Sequence, residues 1–192
     1  GVSLVRFGSD GTFQWRVVST GTVLSVGRLL VDAEGNAYFA YNSTLYKYDP
    51  SGALRWSTYT SVPDVGATVS SDGADVVLTG SPRGGAQWVT AAFDTATGTR
   101  RWLVTAAEGN AAVDVVADGG RVYVAGHGVT GAGTPAIAYF MTVVAYDRTT
   151  GARLAVGVRF WLYRSVLTGR GSASRTTRRW IEASSVRTHS RR

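Results

Sequence analysis

The chain contains no cysteine, which excludes disulfide staples, thiolate metal sites and thiol nucleophiles together, while leaving the compartment open. Long apolar runs are also missing. The longest, Ile137 to Tyr146 with Thr142 inside it, falls short of the roughly 20 residues that a membrane helix needs. Histidine is reduced to His127 and His189, with no pair at ligand spacing, so the pattern of a transition-metal site is absent from the sequence. Charged residues make up only 17% of the chain, and the Leu/Ala/Glu/Lys mixture that feeds long helices is thin. Against these shortages stand 24 glycines and 44% hydrophobic residues, which point to β structure with many turns. Residue 1 is glycine and no charged-then-apolar leader follows it, so a signal peptide is expected to be removed or to lie outside this sequence. Leu4-Val5-Arg6-Phe7 reads as a strand already under way, as though cut from a longer protein.

The formal charge of +7 resembles a nucleic-acid signal until it is divided. Residues 1–157 carry 11 Lys+Arg and 12 Asp+Glu, a balance of −1, whereas residues 158–192 carry 9 Arg and one Glu, a balance of +8. The body is neutral, and the basicity belongs to the tail.

Internal similarity organises the body. Four segments align: Leu4 to Trp15, Leu45 to Trp56, Val89 to Trp102 and Val143 to Leu154. Each is an aromatic-ended strand, a polar turn closed by glycine, and a returning strand. Asp, Ser, Thr and Pro favour the early turn positions and Gly supplies the positive φ that follows. Trp15, Trp56 and Trp102 each stand four residues beyond their glycine, and the fourth copy has Ala155 there. Between these lie three Asp/Gly-turn segments, Leu30 to Phe39, Val69 to Leu78 and Val116 to Val124. One repeat therefore supplies four short strands.

The distance from Trp to the next turn Asp is nearly constant, 17 (15 to 32), 16 (56 to 72) and 16 (102 to 118). From that Asp to the following turn Gly it grows: 20 (32 to 52), 26 (72 to 98) and 33 (118 to 151). The length variation falls around Tyr41–Thr44, Gly80–Gln87 and Gly126–Ala138, which are expected to be loops on one face. A four-stranded sheet cannot bury both faces alone, and radial stacking is the usual solution at this period. The expected fold is all-β: a partial β-propeller of about three to four four-stranded antiparallel blades over residues 1–157, with turn motifs at 8–15, 49–56, 94–102 and 147–155. A twisted sandwich is the competing architecture. Residues 158–192 are expected to form an irregular Arg-rich tail, disordered or non-native.

The segments Phe93 to Trp102, Tyr146 to Leu154 and Val116 to Gly126 resemble bacterial quinoprotein-like (PQQ-like) β-propeller repeats, over residues 1 to about 155. The resemblance implies one blade per repeat and an extracytoplasmic, secreted or periplasmic, parent protein with more blades than these. It speaks for fold rather than activity, because many such repeats bind no quinone.

The candidate sites have simpler roles. Gly126-His127-Gly128-Val129-Thr130-Gly131 fits the dinucleotide G-x-G-x-x-G, but Ala132-Gly133-Thr134-Pro135 open no helix to receive a pyrophosphate, so an inter-strand loop is expected. Asp32, Asp49, Asp72, Asp94, Asp118 and Asp147 could pair for acid–base work, yet their recurrence in turns suits bonding to their own backbone. Asp72-Gly73-Ala74-Asp75 is a fragment of a calcium loop. The tryptophans could stack a ligand, but one shared repeat position suits packing between blades. Asn42-Ser43-Thr44 has the form of a glycosylation sequon. Neither a nucleophile elbow nor a P-loop occurs. No catalytic, cofactor-binding or metal residue is assigned, and no cofactor.

The sequence thus reads as a non-enzymatic binding or scaffold module, with protein or carbohydrate contacts carried by loops 80–87 and 126–138, no membrane span and no nucleic acid. Two alternatives are a fragment of a PQQ-dependent dehydrogenase, which would need Ca²⁺, and a truncated or frameshifted, non-functional product. The second is motivated by 19 arginines to one lysine and by the loss of the repeat after Leu154. A basic arm for an anionic surface is a further reading of the tail.

Overall fold

The computed structural model describes residues 1–20, 26–62, 68–71, 73–82, 87–107, 110–130, 136–164 and 177–185. Among them every regular element is a strand. The first sheet pairs β1 (Val2–Phe7) with β2 (Phe13–Ser19). The second contains β3 (Val26–Val31), β4 (Ala37–Tyr41), β5 (Thr44–Tyr48) and β6 (Leu54–Tyr59), in that order. The third contains β7 (Thr68–Ser71), β8 (Asp75–Gly80), β9 (Trp88–Asp94) and β10 (Arg100–Ala106). The fourth contains β11 (Ala111–Asp118), β12 (Arg121–Thr130), β13 (Ala136–Asp147), β14 (Arg153–Arg164) and β15 (Thr177–Ser185). All pairings are antiparallel between sequence neighbours, and none of the sheets closes on itself.

The aligned segments fold alike. In each of the four turns the glycine amide donates back to the carbonyl of the residue that opens the turn: Gly11 to Gly8, Gly52 to Asp49, Gly98 to Asp94 and Gly151 to Asp147, at 2.8–3.0 Å. All four glycines have φ between +72° and +87°, a region costly for other residues. The register slips beside every one of these turns, between Arg6 and Phe7, Lys47 and Tyr48, Arg100 and Trp102, and Ala145 and Tyr146. A bulge at one repeated place is part of the unit's design. By this correspondence β1 and β2 are the third and fourth strands of a unit, matching β5–β6, β9–β10 and β13–β14.

Packing between the sheets forms the core. Leu4 of the first sheet meets Ala37 and Tyr48 of the second. Tyr38, Ala40 and Leu45 of the second meet Val76, Leu78, Ala91 and Phe93 of the third. Val77, Trp88, Ala92 and Trp102 of the third meet Val115, Val122, Val124, Val144 and Tyr146 of the fourth. The third sheet is thus covered on both faces, Val76 and Leu78 pointing one way and Val77 the other. Strand β8 is accordingly buried along its whole length, where an alternating strand with one wet face would show polar residues at every second place.

Three length-variable regions were expected to be loops, and they differ. Between β4 and β5 the connection is the minimal two-residue turn, Asn42 and Ser43 at φ 48° and 56°, as a tight hairpin requires. Between β8 and β9 a true connection spans residues 81–87, of which 83–86 lie outside the described residues. The third expectation is corrected: Gly126–Ala138 is not one loop. Strand β12 runs on to Thr130 and β13 starts at Ala136, so that Gly126 pairs with Thr142 and Gly128 with Phe140. Gly126 and Gly128 mark close approach, because a Cβ on Gly126 would enter the Trp88 ring and one on Gly128 the Phe140 ring. Only residues 131–135, outside the described residues, remain between the strands.

In the expected tail, β14 continues through residues 157 and 158 without a break, and β15 pairs with it from Val156↔Ser185 to Arg164↔Thr177. The β-prone run Val158 to Tyr163 extends an edge that β13, twelve residues long, already offers. The rest of residues 158–192 lies outside the described residues.

Candidate functional site

The tryptophans occupy one repeated environment. An added Cβ would stand 2.8 Å from Trp15 Cδ2 at Gly52, 2.7 Å from Trp56 Cδ2 at Gly98 and 2.8 Å from Trp102 Cδ2 at Gly151. Each indole therefore lies on the turn glycine of the next sheet, where no side chain fits. Each also donates its Nε1–H to the carbonyl two to three residues before that glycine: Trp15 to Pro50 at 2.9 Å, Trp56 to Thr95 at 3.1 Å and Trp102 to Arg148 at 2.6 Å. Glycine is required twice at these turns, for its backbone angle and for the ring above it. Gly11, first in the series, has nothing within 4 Å.

A charged group supports each of these junctions. Arg6 Nη1 donates to the same Pro50 carbonyl at 3.1 Å and to Gly35 O at 3.2 Å. Lys47, at the equivalent place on β5, donates to Thr95 O at 2.9 Å and stands 5.3 Å from the centre of the Tyr38 ring. The third copy has Ala92 there, and the charge arrives from the other side. Asp75, with a side chain only 3% exposed, receives Arg148 Nε at 2.8 Å and Arg101 Nε at 2.9 Å. Arg148 also reaches Gly119 O, and Arg101 reaches Asp94 at 2.7 Å. Asp75 and Asp94 face each other across β8 and β9, so Arg101 neutralises two carboxylates whose opposition would otherwise destabilise the pair. Sequence reading missed this network. Its signal was the alanine replacing a cation in the third copy, a cue visible only once the repeats are superposed.

Of the recurring aspartates, Asp32, Asp49, Asp94 and Asp147 accept hydrogen bonds from the backbone of their own turns. Asp49 Oδ1 accepts from Ser51 N, Ser51 Oγ and Ala53 N, and Asp147 Oδ1 from Thr149 N, Thr150 N and Thr150 Oγ1. Backbone and hydroxyl donors at Thr97, together with Arg101, lower the Asp94 carboxyl to about 2. Burial raises Asp32, but hydrogen bonds from the Asn36 side chain and backbone and from the Tyr38 hydroxyl outweigh it, and the net shift is downward. Asp118 ends β11 opposite Arg121. Asp72 lies outside the described residues, and Asp75, the other acid of the calcium-loop fragment, is held by arginines.

The remaining candidates are dispersed. His127 is an exposed residue of β12 whose carbonyl accepts from Asn110 N, and His189 lies outside the described residues. Among the described residues no group of three or more His, Asp or Glu could hold a metal ion, and no helix is long and apolar enough to cross a membrane. Of the connections expected to carry a partner, 80–87 is anchored at its start by Ser81, buried, whose Oγ accepts Ala112 N of the next sheet at 2.9 Å. Pro82 and Gln87 are exposed. A concave feature that was not foreseen is a cleft of about 310 Å³ lined by Leu4–Phe7, Trp15, Leu29, Val31, Gly35 and Ala37. It opens between the first and second sheets.

Compared with protein-family models and with curated proteins, the sequence finds no match in either.

Proposed function

We propose that the chain is a non-enzymatic binding or scaffold module, part of a β-propeller of quinoprotein-like repeats in an extracytoplasmic protein. The observation that carries this reading is the Trp–Gly junction, repeated three times in the same sense from each sheet to the next. One fixed relation applied again and again generates a regular series of blades, and it commits the tryptophans, glycines and turn aspartates to scaffolding. Partner contacts then fall to the connections, chiefly the one after Gly80 and the end of the β12–β13 hairpin.

The measurement that separates this from a quinone-dependent dehydrogenase is thermal unfolding with added pyrroloquinoline quinone and Ca²⁺. A ligand binding only the folded state at 100 times its Kd stabilises it by about 2.7 kcal/mol. We expect no change in melting temperature; a rise of several degrees assigns the cofactor and overturns the scaffold reading.

A further inference from the structure

We infer that His127 and Met141 form a surface site for a soft monovalent cation, Cu(I), held between the imidazole and the thioether. The inference goes beyond the scaffold reading and rests on one hairpin, whatever the arrangement of the sheets.

The two residues are 14 positions apart (127 to 141), and the β12–β13 hairpin sets them directly opposite each other. Residues so placed share one face of the sheet and have Cβ atoms about 4.5–5.5 Å apart, so their donor atoms can converge on one ion. That face is the outer one. Val122, Val124, Thr142 and Val144 alternate with this pair along the two strands and are buried, whereas Met141 is 55% exposed and His127 is exposed. Among the described residues no hydrogen bond or ion pair engages either side chain. Ala155 stands where the earlier copies carry tryptophan, so this face lacks the indole with which Trp56 and Trp102 clasp the next turn glycine.

The donors select the ion. A thioether is a neutral, polarisable ligand that suits Cu(I) and offers little to the hard cations Ca²⁺ and Mg²⁺, and imidazole suits copper as well. Zn²⁺ and Ca²⁺ sites draw on larger sets of imidazole, thiolate or carboxylate ligands. No group of three or more His, Asp or Glu that could supply such a set occurs among the described residues. Two neutral donors are enough for Cu(I), which accepts low coordination.

The test uses the intact chain with Ag(I), a redox-inert stand-in for Cu(I), followed by NMR. Met141 is the only methionine, so a ¹³C-methyl label gives a single resonance. We expect one equivalent of Ag(I) to shift that resonance together with the His127 ring signals, and the same concentration of Zn²⁺ to leave the methyl group unmoved. An anaerobic competition titration with Cu(I) should show one site. Both residues are exposed, so Met141→Leu and His127→Gln should keep the fold and weaken binding by about tenfold or more, whereas His189→Gln should not. A methyl resonance indifferent to Ag(I), a response of Met141 without His127, binding undiminished in either single variant, or binding lost in His189→Gln overturns the proposal. Quinone and Ca²⁺ engage no thioether, so failure here is distinguishable from failure of the scaffold reading.

Discussion

Trp56 covers Gly98 so closely that a Cβ at the glycine would lie 2.7 Å from both Cδ2 and Cε3 of the ring. The glycine belongs to the third sheet and the indole to the second, so the contact is a junction between repeats. Gly98→Ala should add the strain of φ +73° to a ring displacement, together roughly 2–5 kcal/mol. Gly11→Ala meets only the backbone term, about 1–2 kcal/mol, since nothing lies within 4 Å of it. Chemical denaturation of both variants checks the difference. Equal losses would mean that the ring contributes nothing.

The Asp75–Arg148 pair joins the third sheet to the turn between β13 and β14, and Asp75 is too buried to be rehydrated cheaply. Arg148→Met should cost about 2–3 kcal/mol, somewhat below the loss of an unshared buried pair, because Arg101 continues to hold the carboxylate. Adding Asp75→Asn should recover part of that loss, giving a coupling of about 1–3 kcal/mol in a double-mutant cycle. The coupling should persist in 1 M salt, as screening acts weakly on buried pairs.

Much of this was legible in the residues. The hairpins followed from polar turns of Asp, Ser, Thr and Pro closed by glycine and from tryptophan at a fixed distance, because turn chemistry is local and the spacing is counted along the chain. The role of Trp15, Trp56 and Trp102 between repeats was readable for the same reason. What could not be read was whatever depends on neighbours in space. Gly126 and Gly128 looked like a loop because glycine alone does not distinguish flexibility from a ring pressed against the backbone. Asp75 looked like a stray calcium ligand because its arginines come from 26 (75 to 101) and 73 (75 to 148) residues away. The cleft beside β1 is lined by residues of two sheets, from Leu4 to Ala37, a juxtaposition that spacing along the chain does not announce.

Acid should weaken the fold through its turns. Asp32, Asp49, Asp94 and Asp147 all have carboxyls lowered from the ordinary 3.8. A carboxyl lowered by folding contributes stability that is complete above its unfolded value and is lost as pH falls through its folded value. For Asp94 that window runs from about 4 down to about 2. Asp94→Asn should therefore destabilise at neutral pH by about 1 kcal/mol, allowing for solvent screening at an exposed turn, and the gap to the unaltered protein should close on approaching pH 2. Melting temperatures of the two proteins between pH 2 and 7 test this; a gap that is constant across the range removes the carboxylate's ionisation from the account.

Gly126 offers the sharpest test of the extended β12–β13 hairpin. If residues 126–130 belonged to a mobile loop, an alanine there would stabilise slightly by restricting the unfolded chain. In β12 the same methyl group enters the Trp88 ring, which is itself 0% exposed and has no free space to retreat into. Gly126→Ala should accordingly cost roughly 2–3 kcal/mol through overpacking, and Trp88→Phe in the same chain should return part of it by shortening the ring. Gly120→Ala, where nothing lies within 4 Å and φ is not positive, serves as the control and should lie within about 0.5 kcal/mol of the unaltered protein. A neutral or stabilising Gly126→Ala would detach this glycine from the core of the third and fourth sheets and restore the loop.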